Sequence, residues 1–211
     1  RTFVSVEGLD GAPVAVADWR FVPGGTLLVA QSSEQTMLLA DAAAPGIPTP
    51  LGKFAELVGF SSDGRTMVVR DALGPISVNL QDAAQARIEP SPVQGVTPFV
   101  GQVVPLSDGG LVEKAAVPGA AGAFTVALVV DDGNAGRVLY TTPDGKGSIE
   151  TFSLSPNEQF VVTEVVPDNE STVSDGYPQK PRSTSITTVI IDLASGEIVK
   201  TLEGFEAQFA G

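Results

Sequence analysis

Hydrophobic positions along this chain come in short β-branched runs separated by turn residues. Thr26-Leu27-Leu28-Val29-Ala30, Thr66-Met67-Val68-Val69, Thr125-Val126-Ala127-Leu128-Val129-Val130, Phe160-Val161-Val162-Thr163 and Thr188-Val189-Ile190-Ile191 are all of strand length. No helix-length window carries apolar residues at i, i+3, i+4 and i+7 without an intervening Gly or Pro. The pattern predicts an all-β protein of many short strands.

The runs repeat. An apolar residue, a Ser or Pro, a tight turn and an apolar strand follow one another in Phe21-Val22-Pro23-Gly24-Gly25-Thr26-Leu27-Leu28-Val29 and in Phe60-Ser61-Ser62-Asp63-Gly64-Arg65-Thr66-Met67-Val68-Val69. The same plan returns in Leu106-Ser107-Asp108-Gly109-Gly110-Leu111-Val112 and in Leu154-Ser155-Pro156-Asn157-Glu158-Gln159-Phe160-Val161-Val162. The first turn residues, at 24, 63, 108 and 157, are 39, 45 and 49 residues apart, the spacing of four-stranded propeller blades. Asp-Gly and Gly-Gly supply the positive φ that a two-residue hairpin needs, and Asn157-Glu158 is a weaker version. A second set of turns follows the third strand of the unit: Leu9-Asp10-Gly11, Asp41 to Gly46, Asp131-Asp132-Gly133-Asn134 and Leu193-Ala194-Ser195-Gly196-Glu197.

Phe60 to Val69, together with Val189-Ile190-Ile191-Asp192-Leu193-Ala194-Ser195-Gly196-Glu197-Ile198-Val199-Lys200-Thr201-Leu202, resembles the blade repeat of TolB-like and WD-repeat-like β-propellers. The resemblance covers most of the chain from Trp19 on and weakens in the third repeat after Leu111. It implies an all-β propeller of four-stranded blades, running from an inner strand A to an outer strand D. The chain then reads as a single domain over 1–211 with blades at about 17–52, 53–97, 98–147 and 148–203, and with 1–16 and 204–211 as flanking or closing strands. Either Phe3 to Val6 and Ala12 to Val16 complete a blade begun by Phe205 to Phe209, closing a five-bladed ring, or the chain is a slice of a larger propeller. The family pattern carries no catalytic residue to transfer.

Composition narrows the chemistry. There is no Cys and no His, which excludes a thiolate nucleophile, a Ser-His-Asp triad, Cys-ligated zinc and imidazole metal ligands. Acidic residues number 25 against 12 basic ones, a net charge of −13, which argues against a nucleic-acid partner. No apolar run approaches the roughly 18 residues of a membrane-spanning helix. The chain opens on Arg1 without a signal region, as a processed product or excised piece would. An acidic, Lys-poor, Thr/Ser/Gly-rich composition favours an extracytoplasmic location in the cell envelope or outside it, with the cytoplasm as the alternative.

The candidates for chemistry are few. Glu56 and Glu150 each lie seven residues before their repeat's turn, an equivalent place on strand A, where two carboxylates could serve as an acid/base pair or bind a cation. A place at the solvated end of a strand is the bland account and the preferred one. Asp131-Asp132-Gly133-Asn134 lacks the calcium-loop pattern and reads as hairpin chemistry. Pro118-Gly119-Ala120-Ala121-Gly122 lacks the Lys of a phosphate loop. No metal site and no cofactor are expected. Trp19, the only Trp, is expected in the core between blades.

The long polar stretch 167–185 joins strands B and C of the fourth blade. Within it Asp168, Glu170, Asp175, Tyr177, Lys180 and Arg182 combine an amphipathic ring with charge, a pattern suited to a partner contact; a tolerated insertion is the bland account. Asn169-Glu170-Ser171 fits a glycosylation acceptor only in a chain secreted through an ER. The function expected is therefore a non-catalytic interaction or scaffold domain. It would form the extracytoplasmic part of a larger envelope protein and bind a protein or surface ligand through its loop face. A carbohydrate-active or cation-dependent enzyme using Glu56 and Glu150 is the alternative, and a structural spacer is a third.

Overall fold

The computed structural model describes residues 8, 11–44, 46–89, 91–118, 124–142, 148–166 and 186–204, with the side chains at 98–101 and 124 excepted. Among them there is no helix. Sixteen strands form four four-stranded antiparallel sheets, each a simple meander. The first sheet comprises β1 (Val16–Phe21), β2 (Leu27–Ser32), β3 (Thr36–Asp41) and β4 (Thr49–Lys53), and the second β5 (Glu56–Phe60), β6 (Thr66–Asp71), β7 (Gly74–Asn79) and β8 (Gln85–Arg87). The third comprises β9 (Thr97–Pro105), β10 (Leu111–Pro118), β11 (Phe124–Asp131) and β12 (Gly136–Thr141), and the fourth β13 (Ser148–Leu154), β14 (Phe160–Val166), β15 (Thr187–Asp192) and β16 (Ile198–Glu203). The chain divides into two compact units, 1–89 and 90–211, each holding two of these sheets.

The repeated turn has a chemical reason. Ser61 and Ser155 are buried, and each hydroxyl donates to the turn residue two places on, Asp63 or Asn157, at 2.7 Å. Each also accepts the backbone N–H five residues on, from Thr66 or Phe160, at 3.0 Å. A hydroxyl tying both ends of a turn satisfies groups that strand ladders leave over. The same ladder closes the first turn through Val22 N–H to Leu27 carbonyl, and the third through Leu106 N–H to Gly110 carbonyl. The third turn is one residue shorter, so every later position of that repeat is displaced by one.

Within the first unit Val29, Met37 and Leu51 of the first sheet pack against Leu57, Met67 and Val69 of the second. Within the second unit Val112, Leu128 and Val130 of the third sheet pack against Phe152, Val161 and Ile191 of the fourth. Successive residues of a strand face opposite ways. Val29 and Gln31 on β2, or Val112 and Lys114 on β10, therefore face the following sheet.

Each seam is also joined by polar groups. The Gln31 amide donates to the carbonyls of Phe54 (2.8 Å) and Ala55 (3.2 Å), just before β5. Lys114, at the matching place on β10, donates to those of Ile149 (2.8 Å) and Glu150 (3.1 Å), where the pairing of β13 is broken by a bulge. Turns meet as well. Gly64 (φ +68°) lies so close to the preceding turn that a Cβ there would stand 2.5 Å from the Pro23 carbonyl oxygen. Its counterpart Glu158 takes the same left-handed conformation (φ +54°) and reaches Ser107, accepting from its N–H at 3.0 Å and from its hydroxyl at 2.7 Å.

Candidate functional site

Strand β1 is exposed along its whole length. Arg20 donates to the Val58 carbonyl of the second sheet, so Trp19 and Phe21, its neighbours in sequence, stand on the opposite face. Their cross-strand partners on that face are Ala30 and Leu28, which with Leu38 form a small buried cluster flanked by Val14, Ala40 and Ala42. Over this apolar floor Trp19 is 57 % and Phe21 51 % exposed, and the rings meet edge to face at 5.6 Å. Val16 adds a further exposed aliphatic to the same face.

The expectation that Trp19 is core is corrected by this exposure. Matched by cross-strand pairing, Trp19 and Phe21 correspond to Leu57 and Phe60 in the second repeat and to Phe152 and Leu154 in the fourth. Phe60 packs into the first unit's core, and Phe152 and Leu154 into that of the second unit, because a preceding sheet lies over them. No described sheet of the first unit lies over Trp19 and Phe21. Two aromatics at i and i+2 in a strand were the available signal, since such residues share a face.

Beside this face a cavity of about 490 Å³ opens between Gly8 with residues 12–15 and the β2–β3 hairpin, lined by Val14, Ser32, Ser33, Glu34, Thr36 and Leu38 among others. Some of its polar groups are engaged in structure: the Ser32 hydroxyl accepts the N–H groups of Glu34 and Thr36, and Ser33 N–H donates to the Ala15 carbonyl.

The sequence-derived candidates fall in different surroundings. Glu56 begins β5 directly opposite Arg70, and the two form an ion pair at 2.8 Å with the carboxylate half exposed. Glu150 lies on β13, where its carboxylate accepts a long hydrogen bond from the Ser148 hydroxyl (3.5 Å) and its backbone carbonyl receives Lys114. Burial, opposed by the charge of Glu150, holds the Lys114 amine below the ordinary lysine range. Among the described residues no group of three or more acidic side chains is placed to hold a metal ion. Asp168, Glu170, Asp175, Tyr177, Lys180 and Arg182 lie outside the described residues, as do Phe3 to Val6 and Phe205 to Phe209. No helix among the described residues is long and apolar enough to cross a membrane.

No family model and no curated protein matches the sequence. Solved structures do match the fold. A structure described as a proposed TolB of Agrobacterium tumefaciens aligns with a TM-score of 0.54 at 16 % identity, over 95 % of this chain and 80 % of that one. The β-propeller domain of Cps50 (Swd1) from Myceliophteria thermophila aligns with a TM-score of 0.50 at 15 % identity, over 97 % and 59 %. A dihydro-heme d1 dehydrogenase, NirN, aligns at 0.44 and 15 %, over 95 % and 49 %. With four meandering four-stranded sheets and these likenesses, the fold is a β-propeller, as the resemblance in the repeat implied.

Proposed function

We propose that this chain is a non-catalytic interaction domain, the extracytoplasmic part of a larger cell-envelope protein, that binds a protein partner. The observation that carries the reading is the uncovered aromatic pair Trp19 and Phe21 on the sheet face of β1 and β2. Exposed aromatics over an apolar floor are costly to leave in water and are the residues on which partner recognition most often turns. The occupant proposed is a β-sheet face of another polypeptide. The matching positions in the second and fourth repeats are covered by a sheet, and in both seams that sheet brings a side-chain donor to the carbonyls at the start of the strand it covers. The stretch 168–182, with Tyr177, Lys180 and Arg182, is the second proposed contact, on the strength of its composition. An acidic, Cys-free chain suits an envelope location.

The test is a photo-crosslinking amino acid at Phe21, activated in the native host, with the crosslinked peptide identified by mass spectrometry. A crosslink to a strand of another polypeptide that disappears in Trp19→Ser supports the reading. Crosslinks confined to lipid, glycan or this chain itself overturn it. In parallel, deleting 168–184 should weaken recovery of that partner with an unchanged far-ultraviolet spectrum. Full recovery would remove the loop from the site while leaving the β1 face.

A further inference from the structure

The third sheet breaks the repeat's own rule about what its faces carry. Its residue Glu113, on β10, matches Ala30, Val69 and Thr163 in the other three repeats, and Asp131, at the end of β11, matches Ala40, Val78 and Ile191. Two carboxyl groups thus replace small, aliphatic or hydroxyl side chains on the face turned away from the fourth sheet. Both residues are buried, Glu113 at 4 % and Asp131 at 3 % exposure. They share one face at diagonal positions of paired strands, since Leu111 pairs with Asp131 and Glu113 with Val129. Diagonal neighbours in a sheet are within reach of long side chains.

Their surroundings differ. The Asp131 carboxylate accepts Ser91 N–H at 2.6 Å, the Ser91 hydroxyl at 2.9 Å and Gly133 N–H at 2.8 Å. It therefore clasps the segment 91–96, which leads into β9, to the end of β11, two strands away. That segment is held closely: a Cβ on Gly136 would stand 2.4 Å from the Val93 side chain. Glu113 faces Val103 on β9 and Val129 on β11. Among the described residues the charge acting on it is that of Asp131.

The nearby cations are committed elsewhere. Lys114 points to the opposite face and donates to the Ile149 and Glu150 carbonyls, and Arg137 on β12 donates to those of Leu193 and Ala194. The Asp132 carboxylate is occupied by the N–H groups of Asn134 and Ala135, and segment 91–96 carries no charged side chain.

We propose that Glu113 and Asp131 form a pH-sensitive clasp in the third sheet. With a proton on Glu113 the face stays packed and Asp131 holds Ser91; loss of that proton sets two buried carboxylates against each other and frees the segment 91–96. Desolvation first, and the Asp131 charge second, push the Glu113 carboxyl up to about 7. Because the folded value is raised, the stabilisation is complete below the ordinary glutamate value of 4.5. It is lost as pH rises through about 7, so the clasp opens in the neutral range.

The experiment follows the Glu113 side-chain carboxyl carbon by NMR from acid to mildly alkaline pH. Alongside it, amide exchange at Ser91 and Gly133 is measured and corrected for the intrinsic pH dependence of exchange. The carboxyl should titrate near neutrality, and protection at both amides should fall by roughly a hundredfold between about pH 5 and pH 8. Glu113→Gln, which cannot ionise, should keep its protection across that range. Titration of Glu113 together with the ordinary carboxylates, or equal protection at both ends, overturns the proposal. The carboxyl titration and the amide protection are both read on the unmodified protein and together decide the matter even if Glu113→Gln does not fold.

Discussion

The contact between turns can be measured with two left-handed glycines, one pressed against a neighbouring turn and one open to space. Gly64 and Gly24 occupy the first hairpin of successive repeats and both have positive φ, +68° and +79°. A Cβ at Gly24 would meet nothing within 4 Å, whereas one at Gly64 would stand 2.5 Å from the Pro23 carbonyl oxygen and 2.9 Å from Val22 Cγ1. Alanine at either site incurs the left-handed backbone cost of about 1–2 kcal/mol. At Gly64 the nearer obstacle is backbone, which cannot rotate aside, so the two sheets must part or the turn must deform. Overpacking of that kind costs a further 1–3 kcal/mol or so.

Gly24→Ala should therefore lower unfolding free energy by about 1–2 kcal/mol and Gly64→Ala by about 2–5 kcal/mol. Urea unfolding followed by Trp19 emission reports on the unit that holds both glycines, because Trp19 is the only Trp and lies on β1. Equal destabilisation by the two substitutions would show that the turn of the second repeat does not press on that of the first, and the account of the seam would fail.

Lys114→Met removes both hydrogen bonds to the Ile149 and Glu150 carbonyls while keeping most of the buried stem. A loss of about 1–3 kcal/mol in urea unfolding is expected, and no loss would show the link to be idle. Glu158→Gly relieves the left-handed backbone but deletes the bonds to Ser107, whereas Glu158→Ala deletes the bonds and keeps the strain. The alanine variant should be the less stable by about 1 kcal/mol in thermal unfolding, and the reverse order would remove the strain from the account. Asp71, held down to about 2 chiefly by its hydrogen bonds with Arg87, contributes stability that is present above its ordinary value of 3.8 and lost as pH falls toward 2. Asp71→Asn should flatten the acid limb of the stability profile in that window, and an unchanged limb would assign it to other carboxylates. Glu56→Gln breaks an ion pair whose carboxylate is 54 % exposed. It should change stability by at most about 1 kcal/mol and leave partner binding intact, while lost binding would give that carboxylate a functional role.

Much of the fold was legible because its determinants are local. The β-branched runs mark β2, β6, β11, β14 and β15, and the Ser of the turn motif is explained by a hydroxyl that ties both ends of a hairpin. The third repeat was harder to read for two physical reasons. Its turn is a residue shorter, which displaces the pattern, and its strand β10 carries an acid at a position where other repeats carry Ala, Val or Thr. That Trp19 and Phe21 share a face was legible from their i, i+2 spacing, but the exposure of that face was not. The residue type of Trp19 and its place in the repeat both favour burial, and what decides is whether another sheet lies over it, which is a matter of tertiary neighbours. Of the sequence-derived candidates, Glu56 was recognisable as a carboxylate on a strand, but its pairing with Arg70 depends on the β5–β6 register. Register across a bulge is set by packing as much as by pattern.

The donor side chains Gln31 and Lys114 give each seam a grammar written half in one repeat and half in the next. A tandem duplication of such a repeat copies a donor for whatever follows and free carbonyls for whatever precedes, so an array can lengthen by gene duplication without inventing a new joint. The matching place can also carry the opposite chemistry. Glu164 on β14, at the place matching Gln31 and Lys114, carries a carboxylate that receives the Thr151 hydroxyl at 3.3 Å and, when ionised, has no proton to hand on to a neighbour's carbonyls.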